Sequence, residues 1–418
     1  MFDKNKSERI LVIAHGHPDF NLGGGELAAY NLYKGYKAHE KVEDAWFLAR
    51  VDKGRGVTGN ISLRRPNEYL WEQAVHDWHR MKAVHQASLS TWFADLIRGL
   101  NPSIVHVHHY AHMGLEFLRV IKQVDPNIRI FMTLHEYMAI CRNNGQMVKT
   151  NTKRLCSSES YDECNQCFPE TTAEDFWLRK HYFKGHFQLV EGFISPSEFL
   201  RQRYIQWGIE EKQIVVIENG QSELPPVEPR SLPEGGTRNR FAFFGQNNPF
   251  KGIDILLEAL YMLPKKERKK LVVEIHGANF EQLPGKFEEK ISKLREPLIK
   301  QGVLLWVGPY RPEAQRKRMA SVDWVLVPSV WWENSPMVIQ EAFGCGRPAI
   351  CSDIGGMAEK ITHNVDGLHV NVGHVKCWAE TLLRAAGDVH LWKSLRAGIP
   401  RPVTYEECAD AHMNFLSR

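Results

Sequence analysis

The chain has 418 residues, 43% of them hydrophobic and 24% charged. That suffices for two or three domains with real cores and argues against disorder. A formal charge of +4 is small for this length and argues against a strongly electrostatic nucleic-acid binder, although local basic patches could still meet phosphates or an anionic membrane.

No apolar run approaches the ~18 residues of a membrane span. The opening "MFDKNKSERILVIAHGHPDF" passes from polar residues straight into a short apolar strand and lacks a signal-peptide core. The expectation is a soluble, cytosolic protein.

In chain order, "RILVIAH", "AWFLARV", "SIVHVHH", "RIFMTLH", "GFISPS" and "IVVIENG" read as strands. "GGELAAYNLYKGYKAH", "STWFADLIRGL", "MGLEFLRVIKQV" and "SEFLRQRYIQWG" have helical periodicity between them. Repeated strand-then-helix predicts a parallel sheet covered on both faces. Residues 222–240, "SELPPVEPRSLPEGGTRNR", are rich in Pro and Gly and read as a linker. The alternation then resumes with "RFAFFGQ", "GIDILLEALYML", "LVVEIHG", "VLLWVG", "WVLVPS" and "RPAICS", and the chain ends in an amphipathic helical stretch. The fold class expected is α/β, two Rossmann-like domains with a ligand at the cleft between them.

Several stretches carry candidate chemistry. Gly23, Gly24 and Gly25 follow the first strand and open a helix. The G-x-G-x-x-G spacing is missing, yet the backbone there can approach an anion closely; a tight structural turn is the alternative. His106, His108, His109 and His112 crowd one strand end, where alternation sends them to different faces. His106 reads as a satisfied core histidine. Of eight cysteines, Cys345, Cys351, Cys377 and Cys408 read as small buried residues. Cys141, Cys156, Cys164 and Cys167 share one window (141–167), and Cys164-x-x-Cys167 is a zinc half-site that the other two could complete as a structural centre. Reduced thiols packing a long loop are the alternative.

"FWLRKHYFKGHFQLVEGF" places Arg179, Lys180 and Lys184 among aromatics. It reads as an amphipathic helix with a solvated basic side, or as a contact to a membrane surface. In "FFGQNNPFKG", a strand ends at Gly245 and Lys251 lies in the following loop, where a cation can neutralise a departing diphosphate.

The segment "WWENSPMVIQEAFGCGRPAIC" sets Glu333 just before a helix start and Glu341 two turns inside it. Ser335 is the expected N-cap and Pro336 the first helical residue, with the helix running to Phe343. Such a terminus offers unpaired amides to a diphosphate. Glu333 would then face the group beyond the distal phosphate, and Glu341 could accept from ribose hydroxyls; a solvated Glu and a helix-surface Glu are the alternative.

With its flanks, the E-x7-E pattern of Glu333 and Glu341 resembles the retaining glycosyltransferases of the GT4 family, which have the GT-B fold. The resemblance implies a donor-binding domain at 241–395 and an acceptor-binding domain at 1–222. Residues 223–240 would link them, and a C-terminal helical segment, 396–418, would cross back to the first domain. It implies that Glu333 supports the reacting centre, that Glu341 binds ribose, and that Lys251 meets the diphosphate. The backbone around Asn334, Ser335, Pro336 and Met337 would hold sugar and phosphate, with Gly24, Gly25 and Gly245 close to the donor.

His108, with His109 as fallback, would touch the transferred sugar. The family has an arginine directly after the glycine of the lysine loop. This chain has Gln246, which leaves one charge fewer or hands the role to Arg311 or Arg316. The donor implied is a nucleotide sugar, UDP- or GDP-linked first. The acceptor would be a glycan, a lipid-linked molecule or a small molecule, in cell-surface polysaccharide or glycoconjugate synthesis. Catalysis would need no metal, and nucleic acid is not expected as a partner. A non-catalytic, nucleotide-sugar-binding subunit of an enzyme complex is the other reading.

Overall fold

A computed structural model describes residues 7–21, 23–57, 60–277, 280 and 283–418. The chain divides into two compact units, one formed by residues 1–220 with 403–418 and the other by residues 221–402.

The first unit contains β1 (Glu8–Ala14), β2 (Val42–Val51), β3 (Ile61–Arg65), β4 (Glu68–Glu72), β5 (Val75–Asp77), β6 (Lys82–Ala83), β7 (Ile104–Val107), β8 (Arg129–Thr133), β9 (Gly192–Ser195) and β10 (Ile214–Val216). Its eight-stranded sheet has the order β10-β9-β8-β7-β1-β2-β4-β3. Only β3 runs antiparallel to its neighbour. Ile10 to Ala14 are fully buried, as a strand covered on both faces by helices must be.

Helix Gly24–Ala38 buries Ala28, Ala29, Leu32, Tyr33 and Tyr36 along one stripe. The last helix, Tyr405–Leu416, starts in a Thr404–Glu407 capping box. It packs so closely on the first helix that a Cβ at Gly35 would lie 2.8 Å from that of Ala409.

The second unit contains β11 (Arg240–Phe244), β12 (Val272–His276), β13 (Leu304–Trp306), β14 (Trp324–Val327), β15 (Ala349–Ser352) and β16 (Gly367–Val370). All six are parallel, in the order β13-β12-β11-β14-β15-β16. Counted from β11, this is the 3-2-1-4-5-6 order of a dinucleotide-binding sheet, whose direction of winding reverses between β11 and β14. Strand alternation sorts the core. Phe241 and Phe243 join Trp324 and Leu326 on one face, while Ala242 and Phe244 join Val325, Ile339 and Phe343 on the other.

Three sequence-based expectations need correction here. The Pro- and Gly-rich stretch is pinned to the second unit and does not hang free. Arg347, fully buried, donates to the carbonyls of Val227 and Glu228 as well as Val322 and Ala320, and Arg230 and Arg238 both pair with buried Asp323. Residues 396–402 stay with the second unit because helix Val389–Gly398 buries Trp392 and Leu395 in its core.

The basic side of helix Ala173–Phe187 is largely spent inside the first unit. Arg179 is 1% exposed and donates to the carbonyls of His79, Met138 and Ala139. Lys180 pairs with Glu159 at 3.1 Å, and the Lys184 ammonium lies 5.6 Å from the centre of the Trp207 ring. A helix so engaged offers little charge to a membrane surface. Among the described residues, no helix is long and apolar enough to cross a membrane.

Candidate functional site

In the second unit, the loops leaving β11 and β14 are fastened together at the winding reversal. Val330 N–H donates to Phe250 O at 2.8 Å. Gly252 has φ +69° and presses so near Pro328 that a Cβ would stand 2.0 Å from its carbonyl oxygen, so only glycine fits. This brings Lys251 to Glu333: Nζ donates to Oε1 at 2.6 Å, and the same oxygen accepts from Ser329 Oγ at 2.7 Å and Trp331 Nε1 at 2.9 Å.

Glu333 is 7% exposed. Burial alone would raise its pKa, but the Lys251 charge and these three donors hold it below the ordinary value. The carboxylate is therefore fixed, anionic and preorganised. Behind it, a Cβ at Gly356 would be 1.5 Å from Asn334 O; "GG" at 355–356 lets the two loops touch.

Helix Met337–Gly344 begins one residue later than expected. Pro336 is the N-cap, at φ −66° and ψ 109°, and no side chain caps the turn. The Ser335 hydroxyl is buried without a hydrogen-bond partner. The amides of Met337 and Val338 precede the first intrahelical donor, Ile339 N–H, which bonds Pro336 O at 3.1 Å, so they suit an anion.

Glu341, about one turn into the helix, accepts from Gln315 Nε2 at 2.5 Å, and burial pushes its carboxyl up to about 7. Gly245 follows β11, and its carbonyl would be 1.9 Å from any Cβ at Gly277. Gln246 is exposed. Its neighbour Asn247 is 4% exposed, and neither its amide nitrogen nor its oxygen has a hydrogen-bond partner among the described residues. Of the two arginines considered for the missing charge, Arg316 donates to the carbonyls of Pro225 and Gly344. Arg311 is exposed at the N-cap of helix Pro312–Ala320.

In the first unit, the corresponding reversal lies between β1 and β7. His106 is a satisfied core group, bonded to Tyr36 Oη at 2.9 Å and Thr133 Oγ1 at 2.8 Å. His108 turns inward. Its Nδ1 lies 3.0 Å from His135 Nε2, and its unpartnered Nε2 belongs to a residue lining a cavity of about 10 Å³ beside Cys408 and His412 of the last helix.

His109 is arranged differently. Its Nδ1 accepts from the amides of Tyr110 and Ala111 at 3.0 and 2.9 Å, which fixes the proton on Nε2. That nitrogen stands 3.8 Å from Glu136 Oε1. Burial keeps His109 well below its ordinary pKa and pushes Glu136 up to about 8. Gly24 and Gly25 open helix Gly24–Ala38, where Glu26 closes over Gly23 and pairs with His15 at 3.2 Å. The helix start thus already carries its own carboxylate.

Two family descriptions match the chain: "Glycosyltransferase Family 4" over residues 72–221 and "Glycosyl transferases group 1" over residues 226–394. The chain belongs to glycosyltransferase family 4.

Among curated relatives, D-inositol 3-phosphate glycosyltransferase of Jonesia denitrificans is 33% identical over 193 residues, 44% of this chain and 43% of that protein. The protein of the same name from Corynebacterium efficiens is 28% identical over 69% of this chain and 64% of its own. The chain therefore matches less than half of the first of these relatives and just under two thirds of the second.

HepE of Anabaena, solved with UDP and glucose, superposes with a TM-score of 0.64 at 15% identity, covering 98% of this chain and 99% of that one. Sucrose-phosphate synthase of Thermosynechococcus elongatus does so at 0.68 and 15%, covering 98% of each. The fold is GT-B.

For this family member, sequence reading singled out Glu333, Glu341 and Lys251 but not the groups that set their state. Ser329 and Trp331 orient Glu333, Gln315 holds Glu341, and Asn247 waits beside Gln246 without a partner. Asn247 carried no sequence signal beyond its place in the lysine loop. Glu136 follows directly on the strand run "RIFMTLH" and carried no signal of its own.

The four clustered cysteines are all partly exposed, and all four line one cavity. Among the described residues, no three His, Cys, Asp or Glu side chains are drawn close enough to hold an ion as they stand. Of the other four, Cys345, Cys351 and Cys408 are buried, while Cys377 is half-buried at a helix surface.

Proposed function

We propose that the chain transfers a glycosyl group from a nucleotide diphosphate sugar to an acceptor hydroxyl, with retention at the anomeric carbon. The observation that carries this reading is the Lys251–Glu333 contact at the winding reversal of the second unit, beside the start of helix Met337–Gly344.

As the bond from anomeric carbon to phosphate oxygen breaks, negative charge grows on the diphosphate. Lys251 and the amides of Met337 and Val338 would stabilise it. Asn247 would supply further hydrogen bonds where the family's arginine is missing. Glu333, already oriented by Ser329 and Trp331, would hold the sugar and support positive charge developing at its anomeric carbon. Glu341 would release Gln315 and accept from the ribose hydroxyls.

In the first unit the sugar-contacting role is assigned to His109 in preference to His108, because His109 presents an N–H of fixed tautomer. Gly24, Gly25 and Gly245 would let backbone approach the donor.

HepE was solved with UDP, and this supports trying UDP-sugars first. Relatives named for an inositol phosphate support a small phosphorylated polyol as the first acceptor to test, ahead of glycans and lipid-linked sugars. A thermal-shift screen of UDP-, GDP-, ADP- and dTDP-sugars tests the donor site, because a tight ligand raises stability by mass action. Release of free nucleotide in the same panel tests turnover. A shift without release at any acceptor supports a non-catalytic binding subunit.

A further inference from the structure

Outside the donor site, the most concentrated unexplained chemistry is the cysteine window of the first unit. Cys141 follows the β8 strand end. The chain then turns back on itself through an antiparallel bridge, Val148 to Leu155, and Cys156 leaves that bridge with its amide donating to Met147 O at 2.8 Å. Helix Tyr161–Cys167 supplies Cys164 and Cys167, three positions apart and so on one face.

Three separate segments thereby bring four cysteines to one cavity of about 30 Å³, although no three of them are close enough to hold an ion before they contract. All four are free thiols, as a metal site before loading requires. Arg142 and Lys149 also line it, and each is held by a carboxylate, Glu170 at 3.0 Å and Glu163 at 2.9 Å.

We propose that Cys141, Cys156, Cys164 and Cys167 bind one zinc ion as a closed, structural tetrathiolate centre. Binding draws the four sulfurs inward to about 2.3 Å from the metal and releases their protons. The contraction falls on a partly exposed loop and not on the sheet. The centre carries a formal charge of about −2, four thiolates against one divalent ion, on a partly exposed loop where solvent screens it. The centre would fix the loop whose Gly145 packs on Glu136: a Cβ there would stand 2.6 Å from Glu136 Oε2.

The test uses the full chain, purified with a reductant and no chelator, and analysed for metals by mass spectrometry. The expected result is about one zinc per chain. Exchange with Co2+ should give the intense visible absorption and thiolate charge transfer of a tetrahedral sulfur site.

The double variant C164S/C167S should retain less than about a tenth of the zinc. If it fails to fold, the cobalt spectrum of the unaltered chain decides alone. Less than about a tenth of an equivalent, with no zinc taken from a chromophoric chelator, overturns the proposal. So does full zinc content in the double variant, or mass evidence of disulfides among these four residues in protein prepared without reductant. None of these readouts depends on sugar transfer.

Discussion

Lys251 and Glu333 are 82 residues apart in sequence and 2.6 Å apart in space, joined by a charge-assisted hydrogen bond between loops of adjacent strands. The pair is both a structural joint and the proposed reacting centre, and each role has its own consequence. Substituting Lys251→Met leaves a buried carboxylate without its cation. The cost expected is about 2 kcal/mol, below the full penalty for a buried pair, because the Lys251 side chain keeps 26% of its surface in solvent. Denaturant unfolding of Lys251→Met, Glu333→Gln and the double variant should show the double losing less than the sum.

Glu341 gives a pH signature. Burial pushes its carboxyl up to about 7 in the folded protein, against an ordinary value of 4.5. Between those values the native state binds a proton that the unfolded state has lost. Its contribution to stability is therefore present below about 4.5 and lost as pH rises to about 7. Ribose hydroxyls, in contrast, are best met by the carboxylate. Affinity for the nucleotide that fits should strengthen from pH 6 to 8, and Glu341→Gln should flatten that dependence and weaken binding by about 2 kcal/mol, roughly 30-fold. Calorimetric titration across pH measures both.

Asn247 separates ligand contact from folding. Among the described residues its buried amide has no hydrogen-bond partner, so Asn247→Leu removes none of their hydrogen bonds. Unfolding stability should stay within about 1 kcal/mol of the parent or rise, while nucleotide affinity falls about tenfold. Equal losses in both measurements would assign Asn247 to packing.

Gly356→Ala tests the support behind Glu333. The new methyl would meet Asn334 O at 1.5 Å, forcing the loop that carries Glu333 to move. A stability loss of about 1–3 kcal/mol is expected, together with weaker donor binding, as read by thermal shift with and without nucleotide.

Much of this arrangement was legible from residues. Runs such as "RILVIAH" and "RFAFFGQ" are apolar on both faces and could only be central parallel strands. The acid pair was singled out by its flanks and the family resemblance they carry, since its spacing alone fits two surface carboxylates equally well. Residues 61–72, "ISLRRPNEYLWE", did not read as strands, because charges interrupt any alternation. Yet β3 and β4 supply Arg64, Arg65 and Glu68, which anchor Asp19 and His17 in the loop after β1. Tertiary pairing decided that hairpin.

The Pro-rich stretch 222–240 read as a linker with little to bury because its anchors, Arg347 and Asp323, lie about a hundred residues downstream. His108 and His109 differ by one position, and only the packing of the last helix showed which was turned inward.

The central claim is that Glu333, held anionic by Lys251, grips an activated sugar at its reacting carbon. Its most direct test is the rate of nucleotide diphosphate release from the best UDP-sugar, at saturating donor, by the parent chain and by Glu333→Gln. The account predicts that nucleotide still binds and that release slows about a hundred- to a thousand-fold. Unchanged release by Glu333→Gln would contradict it.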